Sequence, residues 1–143
     1  FRKCIRAAFP ALTESFIKRD ISLFLGNAPD VLGLGRGFSP EGDDLLYGVL
    51  LAYHYFDYDP LFIEELQNQS AFLLKSTNLM GAHLITMGFK GLAAAPVIKF
   101  IRALAEGLER ESILEEALVI GHSTGIAIIV AILYYLDNLR RQI

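Results

Sequence analysis

Apolar side chains recur every three or four residues along almost the whole chain, and nowhere do they alternate over a run long enough to build a sheet. In Phe1–Phe24 they fall at Ile5, Phe9, Leu12, Phe16, Ile17, Ile21 and Phe24. A spacing near 3.6 residues lines one face of a helix, whereas a half-buried strand needs a period of two. The pattern predicts an all-α fold: a compact bundle of six to eight helices with glycine-rich loops at helix N-termini.

Proline and glycine divide the pattern. Pro10 predicts a break between a short first helix and a longer second one. Gly26–Ser39 holds four glycines, a proline and an asparagine and reads as loop, with Val31 and Leu32 as a short extended piece within it. Ser39-Pro40-Glu41 predicts a helix start, with Ser39 as N-cap and Pro40 in the first helical position, and a helix to about Phe56. Asp59-Pro60 predicts the next start, for a helix through Ile63, Leu66, Phe72 and Leu73. Ser76–Gly91 has helical period, broken at Gly81, Gly88 and Gly91. Ala93–Leu108 predicts a helix bent at Pro96, Glu111–Ile120 a short one, and Ser123 or Thr124 opens the last, to about Arg141. The 143 residues fit a single helical domain over 1–143, either whole or the C-terminal part of a longer protein.

Several function classes are excluded at this level. Net charge is -3 with acids and bases interspersed, so nothing tracks a phosphate backbone and nucleic acid is not a partner. Arg140 and Arg141 close the last helix, where they complement its dipole. Ala117–Leu136 approaches the length of a membrane span, but Gly121–Gly125 interrupts it and leaves Ile126–Leu136, too short to cross. The single cysteine, Cys4, excludes an intrachain disulfide and a thiolate metal cluster and reads as a small buried hydrophobe in a cytoplasmic protein. With 53% of residues hydrophobic and 20% charged, part of the apolar surface is expected to face another copy of the chain or a partner subunit.

The densest chemistry lies in Gly33-Leu34-Gly35-Arg36-Gly37-Phe38-Ser39-Pro40-Glu41-Gly42-Asp43-Asp44. Alternate glycines let a backbone approach a ligand, and the helix start that follows offers unpaired N–H groups and a positive dipole end, a combination that binds anions. Arg36 adds a bidentate donor. Asp43 and Asp44 would repel a bare anion unless a cation such as Mg²⁺ bridges them. The plain alternative is a capped helix whose acids complement the dipole. The two acids point about 100° apart. Asp43 is expected to face the loop and Asp44 to be the buried, paired carboxylate, with Gly48 beside it leaving room for a ligand or a close helix. The glycine spacing, without a preceding strand or a following Lys-Ser/Thr pair, excludes a dinucleotide fingerprint and a P-loop.

Gly121-His122-Ser123-Thr124-Gly125 matches the nucleophile-elbow pattern, but no histidine follows Ser123 and no parallel sheet is predicted, so a hydrolase is rejected. A second glycine-flanked helix start remains. Gly42-Asp43-Asp44 and Gly125-Ile126-Ala127 each open a long apolar helix, an echo that places both loops at one end of the bundle. Ser76 and Thr77, in the polar cluster Lys75–Asn78, either line a pocket or form a solvated face. His54 reads as a packing residue, and His83 is undecided between packing and function. Tyr53, Tyr55, Tyr58, Tyr134 and Tyr135 read as core and rim packing.

Leu32–Asp44, with Gly-His-Ser-Thr-Gly at 121–125, resembles the C-terminal helical half of a bacterial and archaeal family that carries Gly-Leu-Gly-x-Gly-[Leu/Phe]-[Ser/Thr]-Pro-x-Gly-Asp-Asp and, later, Gly-His-[Ser/Thr]-[Ser/Thr]-Gly. One member is a subunit of oxamate carbamoyltransferase. The likeness spans Val31 to about Leu133, with Ser76 and Thr77 near a Thr/Ser-rich patch of the family. It departs where this chain has Ala127 for an Asp and Ala131 for a Gly. The resemblance implies a carbamoyltransferase-type subunit that binds a phosphate- or carboxylate-bearing metabolite. The backbone of Gly35 and Gly37, with Arg36, Ser39, Ser76, Thr77, Ser123 and Thr124, would hold it. Asp43 or Asp44 would carry Mg²⁺ or orient the acceptor, and His122 would move a proton or stabilise an oxyanion. No residue reads as a covalent nucleophile. The alternative is a non-catalytic assembly subunit with the glycine loop as a structural helix cap.

Overall fold

A computed structural model describes residues 2–35, 38–108, 111–121 and 123–142, with side chains from residue 7 onward. Cys4 therefore lies outside the described side chains. Eight α-helices follow one another: α1 (Arg2–Ile17), α2 (Ile21–Asn27), α3 (Glu41–Phe56), α4 (Pro60–Ser70), α5 (Leu79–Phe89), α6 (Ala95–Glu106), α7 (Glu111–Leu118) and α8 (Thr124–Arg141). Short 3-10 turns follow α2 (Ala28–Asp30) and α4 (Ala71–Ser76), and the described residues contain no strand. No helix among them is long and apolar enough to cross a membrane.

The molecule is organised around α3. Every residue from Gly42 to Tyr53 is buried, because α8, α5 and α1 pack on different sides of it. Such a helix is apolar all round rather than striped, and Leu45-Leu46-Tyr47-Gly48-Val49-Leu50-Leu51-Ala52-Tyr53 meets that requirement. α8 runs beside α3 in the same direction. Ser39 and Thr124 meet at the helix starts, and Tyr135 reaches Asp57 at the far end of α3. Between these points the helices approach closely at Gly48, where a Cβ would stand 2.6 Å from Ala131 Cβ and 2.7 Å from the Ile128 carbonyl oxygen. The space beside Asp44 is thus taken by a close helix.

Several punctuation marks act differently from the sequence expectation. Pro10 lies inside α1 and does not divide it. Its own position is exposed, while Leu12 and Phe16 beyond it are fully buried. A proline costs an interior helix about 3 kcal/mol, and burial of such side chains, at about 1.5–3 kcal/mol each, offsets it. The chain turns instead at Arg19, whose φ is +56°, and Asp20 caps α2 by accepting from the Leu23 N–H at 3.0 Å. α2 continues through Gly26 and Asn27, so the loop begins later than expected, and Val31 and Leu32 form a buried turn rather than an extended piece. Gly81 and Gly88 do not interrupt α5. A side chain at Gly81 would run into the Asp43 carboxylate and the Thr77 hydroxyl, and one at Gly88 into Tyr47 and Leu50, so both glycines serve close packing on α3. Pro96 sits in the first turn of α6 and bends nothing.

Other starts agree with the sequence. Asp59 caps α4 through its carboxylate on the Leu61 and Phe62 N–H groups, at 3.1 and 3.3 Å. Ser123 precedes α8 as its N-cap position. His54 is a packing residue, its ring lying against Tyr55, Tyr58 and Gly91. Opposite the two glycine loops, Arg19 donates to both Asp57 carboxylate oxygens at 3.0 Å and to the Asp57 carbonyl oxygen at 2.6 Å. Tyr135 donates to the same carboxylate at 2.6 Å. This clasp joins α1, α3 and α8 at that end.

Candidate functional site

The loop after Val31 is drawn back onto the first turn of α3. Gly33 has φ +77°, and a Cβ there would sit 2.5 Å from the Ser76 carbonyl oxygen, so the turn requires glycine on both counts. Its N–H donates to Asp43 Oδ1 at 2.8 Å, and the Leu34 carbonyl oxygen accepts from the Gly42 N–H at 2.9 Å. Thr77 donates to Asp43 Oδ2. Asp43 therefore ties together the glycine loop, α3 and the segment that leads into α5. It faces the loop, as expected, through Gly33, and it is also fully buried. Burial raises its pKa, while the bonds from Thr77 and Gly33 work in the opposite direction.

Ser39 is not the N-cap. Pro40 occupies that position, with its carbonyl oxygen accepting from the Asp43 and Asp44 N–H groups. The Ser39 hydroxyl is committed elsewhere. It donates to Asp44 Oδ1 at 2.6 Å and lies 3.2 Å from the Thr124 hydroxyl oxygen. The helix starts one residue later than expected, after the extended Pro40, and the Ser39 hydroxyl instead joins the two helix starts.

Asp44 is 1% exposed and paired with Ser39, as expected of the buried member of the acid pair. Its second oxygen, Oδ2, is buried without a hydrogen-bond partner. Burial pushes the Asp44 carboxyl up to about 6, against the lowering influence of the Ser39 and Thr124 hydroxyls, and Asp43 and Glu41 add to the rise.

The second loop repeats the first in form. The Gly125 N–H donates to the Ile120 carbonyl oxygen at 2.9 Å, and a side chain at Gly125 would strike the Ala117 carbonyl, as one at Gly42 would strike that of Val31. Both loops lie at one end of the bundle, where the positive ends of the α3 and α8 dipoles point the same way.

Of the residues singled out from sequence, Asp43, Asp44, Ser39, Thr77 and Thr124 come together here. Gly35, with φ +112°, lies against the Glu41 backbone, and Ser123 is exposed beside Thr124. Ser76 contributes its carbonyl to the Gly33 turn, but its hydroxyl turns back to the Leu73 carbonyl oxygen at 2.6 Å. Arg36, Gly37 and His122 lie outside the described residues. For a cation, Asp43 has both oxygens committed to protein donors, so Asp44 Oδ2 is the one oxygen of the pair left to offer. Among the described residues no group of three or more His, Cys, Asp or Glu side chains converges for a metal. The donor set does not fit a protein-built Mg²⁺ cage.

Sequence reasoning missed the wall beside the loop. Phe38, Asn78, Leu79, Met80 and His83 line an open depression of about 640 Å³. Asn78 donates to the Phe38 carbonyl oxygen at 3.2 Å while its own amide oxygen caps α5 on the Gly81 N–H at 2.8 Å. The helical period of Ser76–Gly91 was visible, but its contact with the loop depends on a residue 40 positions away. His83 is an exposed rim residue of this depression.

A family model described as oxamate carbamoyltransferase subunit AllH matches residues 31–136, from the buried turn before the glycine loop to the last third of α8. Comparison with curated proteins and with solved structures returns no match.

Proposed function

Since the chain belongs to the family of the oxamate carbamoyltransferase subunit AllH, we propose that it is a carbamoyltransferase-type subunit that binds a phosphate- or carboxylate-bearing small metabolite where α3 and α8 begin. The observation that carries this reading is the 3.2 Å approach of the Ser39 and Thr124 hydroxyls, which brings two glycine-flanked helix starts to one point. Two parallel dipole ends and two hydroxyls favour an anion there, against the repulsion of the buried acids, which Asp44 lessens by holding its proton up to about pH 6. Asp43 acts as a positioning residue by holding the loop on Gly33 and Thr77. Arg36 supplies the bidentate anion contact, and His122 moves a proton or stabilises a developing oxyanion. The molecule works in the cytoplasm with a further copy or a partner subunit.

Calorimetric titration with oxamate, carbamoyl phosphate and inorganic phosphate tests the reading. At least one anion should bind, and Arg36→Ala should weaken it by about tenfold or more, the scale of one lost charge-assisted hydrogen bond. Absence of binding to all three by the chain, alone and with its partner subunit, overturns it. A second reading has its own support: Asp43 and Asp44 are 0% and 1% exposed, as expected of acids that only brace a loop in an assembly subunit. In that case Asp43→Ala would lower melting temperature, and none of the anions would bind.

A further inference from the structure

Between Gly125 and Tyr135 the exposed positions of α8 are Ile126, Val130 and Leu133, at 50%, 51% and 44%. The rest of that stretch is buried or partly buried, where α3, α7 and α1 pack on it. A surface helix turns polar side chains outward, and one that is apolar all round is covered on every side. Here the uncovered side is as apolar as the covered ones. Successive residues step by about 100°, so Ile126, Val130 and Leu133 fall within about 60° of one another. Asp137, four residues further on, continues the same line. The 4-3-4 spacing is that of a narrow helix-pairing seam, and it makes one continuous ridge instead of scattered apolar residues.

We propose that this seam is the contact of a homodimer in which α8 lies antiparallel against α8 of a second copy, with the two-fold axis at Val130. The proposal specifies the further copy of the functional reading and is independent of the anion site. A two-fold contact must be self-complementary, and the seam is so about Val130. At about 1.5 Å per residue, Ile126 lies about 6 Å to one side of Val130 and Leu133 about 4.5 Å to the other. Antiparallel pairing therefore sets Ile126 of each copy beside Leu133 of the other, and Val130 on Val130. The charges select the same orientation. Asp137 and Ser123, the N-cap position of α8, stand seven residues to either side of Val130. Each acid thus faces the positive end of the opposite helix, where a negative charge is favourable. Arg140 and Arg141, ion-paired with Asp137 at 3.3 and 2.9 Å, fall beyond that helix start. Parallel pairing would set Asp137 against Asp137 and one positive helix end against the other. A partner of different sequence has no need of a seam with an acid and a helix start equidistant from its centre. Three apolar layers are a small contact by the standard of permanent interfaces, which fits a dimer in exchange with monomer at micromolar concentrations.

Sedimentation equilibrium of the full chain, from low micromolar to several hundred micromolar, should reach twice the monomer mass at the upper end. Val130→Lys, a change at an exposed position, sets like charges on the axis. It should raise the dimer Kd about a hundredfold or more and leave the circular dichroism spectrum unchanged. Should Val130→Lys fail to fold, Val130→Gln takes its place, with a rise of about tenfold. Disulfide trapping in a Cys4→Ser background reads the orientation. Ile126→Cys mixed with Leu133→Cys should cross-link, while neither variant should cross-link with itself. A chain that stays monomeric at the highest concentration overturns the proposal, whether or not it joins a different subunit through this seam. So does a dimer whose Kd the Val130 variants leave unchanged, and so does trapping of each single-cysteine variant with itself, the signature of parallel helices. Each of those results leaves the anion reading standing, because Ile126, Val130 and Leu133 are not residues of that site.

Discussion

Asp44→Asn should make the protein more stable at neutral pH, and the gain should vanish in acid. Burial raises the Asp44 carboxyl from 3.8 to about 6, so the folded state holds a proton that the unfolded chain has already released anywhere between those values. Stability contributed by this group is fully present below about pH 4 and is lost as pH rises through about 6. A shift of about two units corresponds to about 3 kcal/mol, an upper figure because the Asp43 and Glu41 charges share in it. Asn cannot ionise, fits the same volume and keeps an acceptor for Ser39. Urea denaturation of both proteins at steps from about pH 4 to about pH 7.5 measures the difference directly. The two curves should coincide near pH 4 and separate in favour of the variant by about 1–3 kcal/mol near pH 7. Parallel pH profiles with a constant offset would refute the reasoning, because Asp44 would then carry no folded-state proton at all.

The neighbouring acid should respond in the opposite sense. Asp43→Ala strips the partner from the Gly33 N–H and the Thr77 hydroxyl, and it should cost about 1–3 kcal/mol or more at neutral pH, measured by thermal unfolding; unchanged melting temperature would show that the loop is held by other contacts. Gly48→Val should destabilise by about 1–3 kcal/mol through overpacking, since the new Cβ meets Ala131 and Ile128, and a compensating loss of volume is not available from an alanine. A variant as stable as the parent would mean that α3 and α8 slide apart freely.

What the chain disclosed in advance, and what it withheld, divides by range. Helix starts set by neighbouring residues were legible: Asp59 caps α4, and α8 opens after Ser123, because these choices rest on backbone groups two or three positions away. That Asp43 and Asp44 point in different directions was legible from the helical step, but not that Asp43 is as deeply buried as Asp44 and the more fully paired of the two. Ser39 was misread as a cap: α3 starts after the extended Pro40, and the Ser39 hydroxyl meets Asp44 and, 85 positions away, Thr124. Gly81 and Pro10 were misread as breaks: tertiary packing on α3, and the burial flanking Pro10 in α1, override local propensity. The clasp of Arg19 on Asp57, separated by 38 positions, had no signal in either residue's surroundings.

The central place of α3 has a consequence for synthesis. Tyr135, which closes α8 over the far end of α3, follows Asp57 by 78 positions. At about 5–20 residues per second, roughly 4–16 s separate their appearance on the ribosome. Through that interval Leu45–Tyr53, which holds no charged residue, lacks the helix that covers one of its sides. Asp43 and Asp44 stand at its leading edge, charged in the open chain and placed as gatekeepers that oppose self-association of the apolar run behind them.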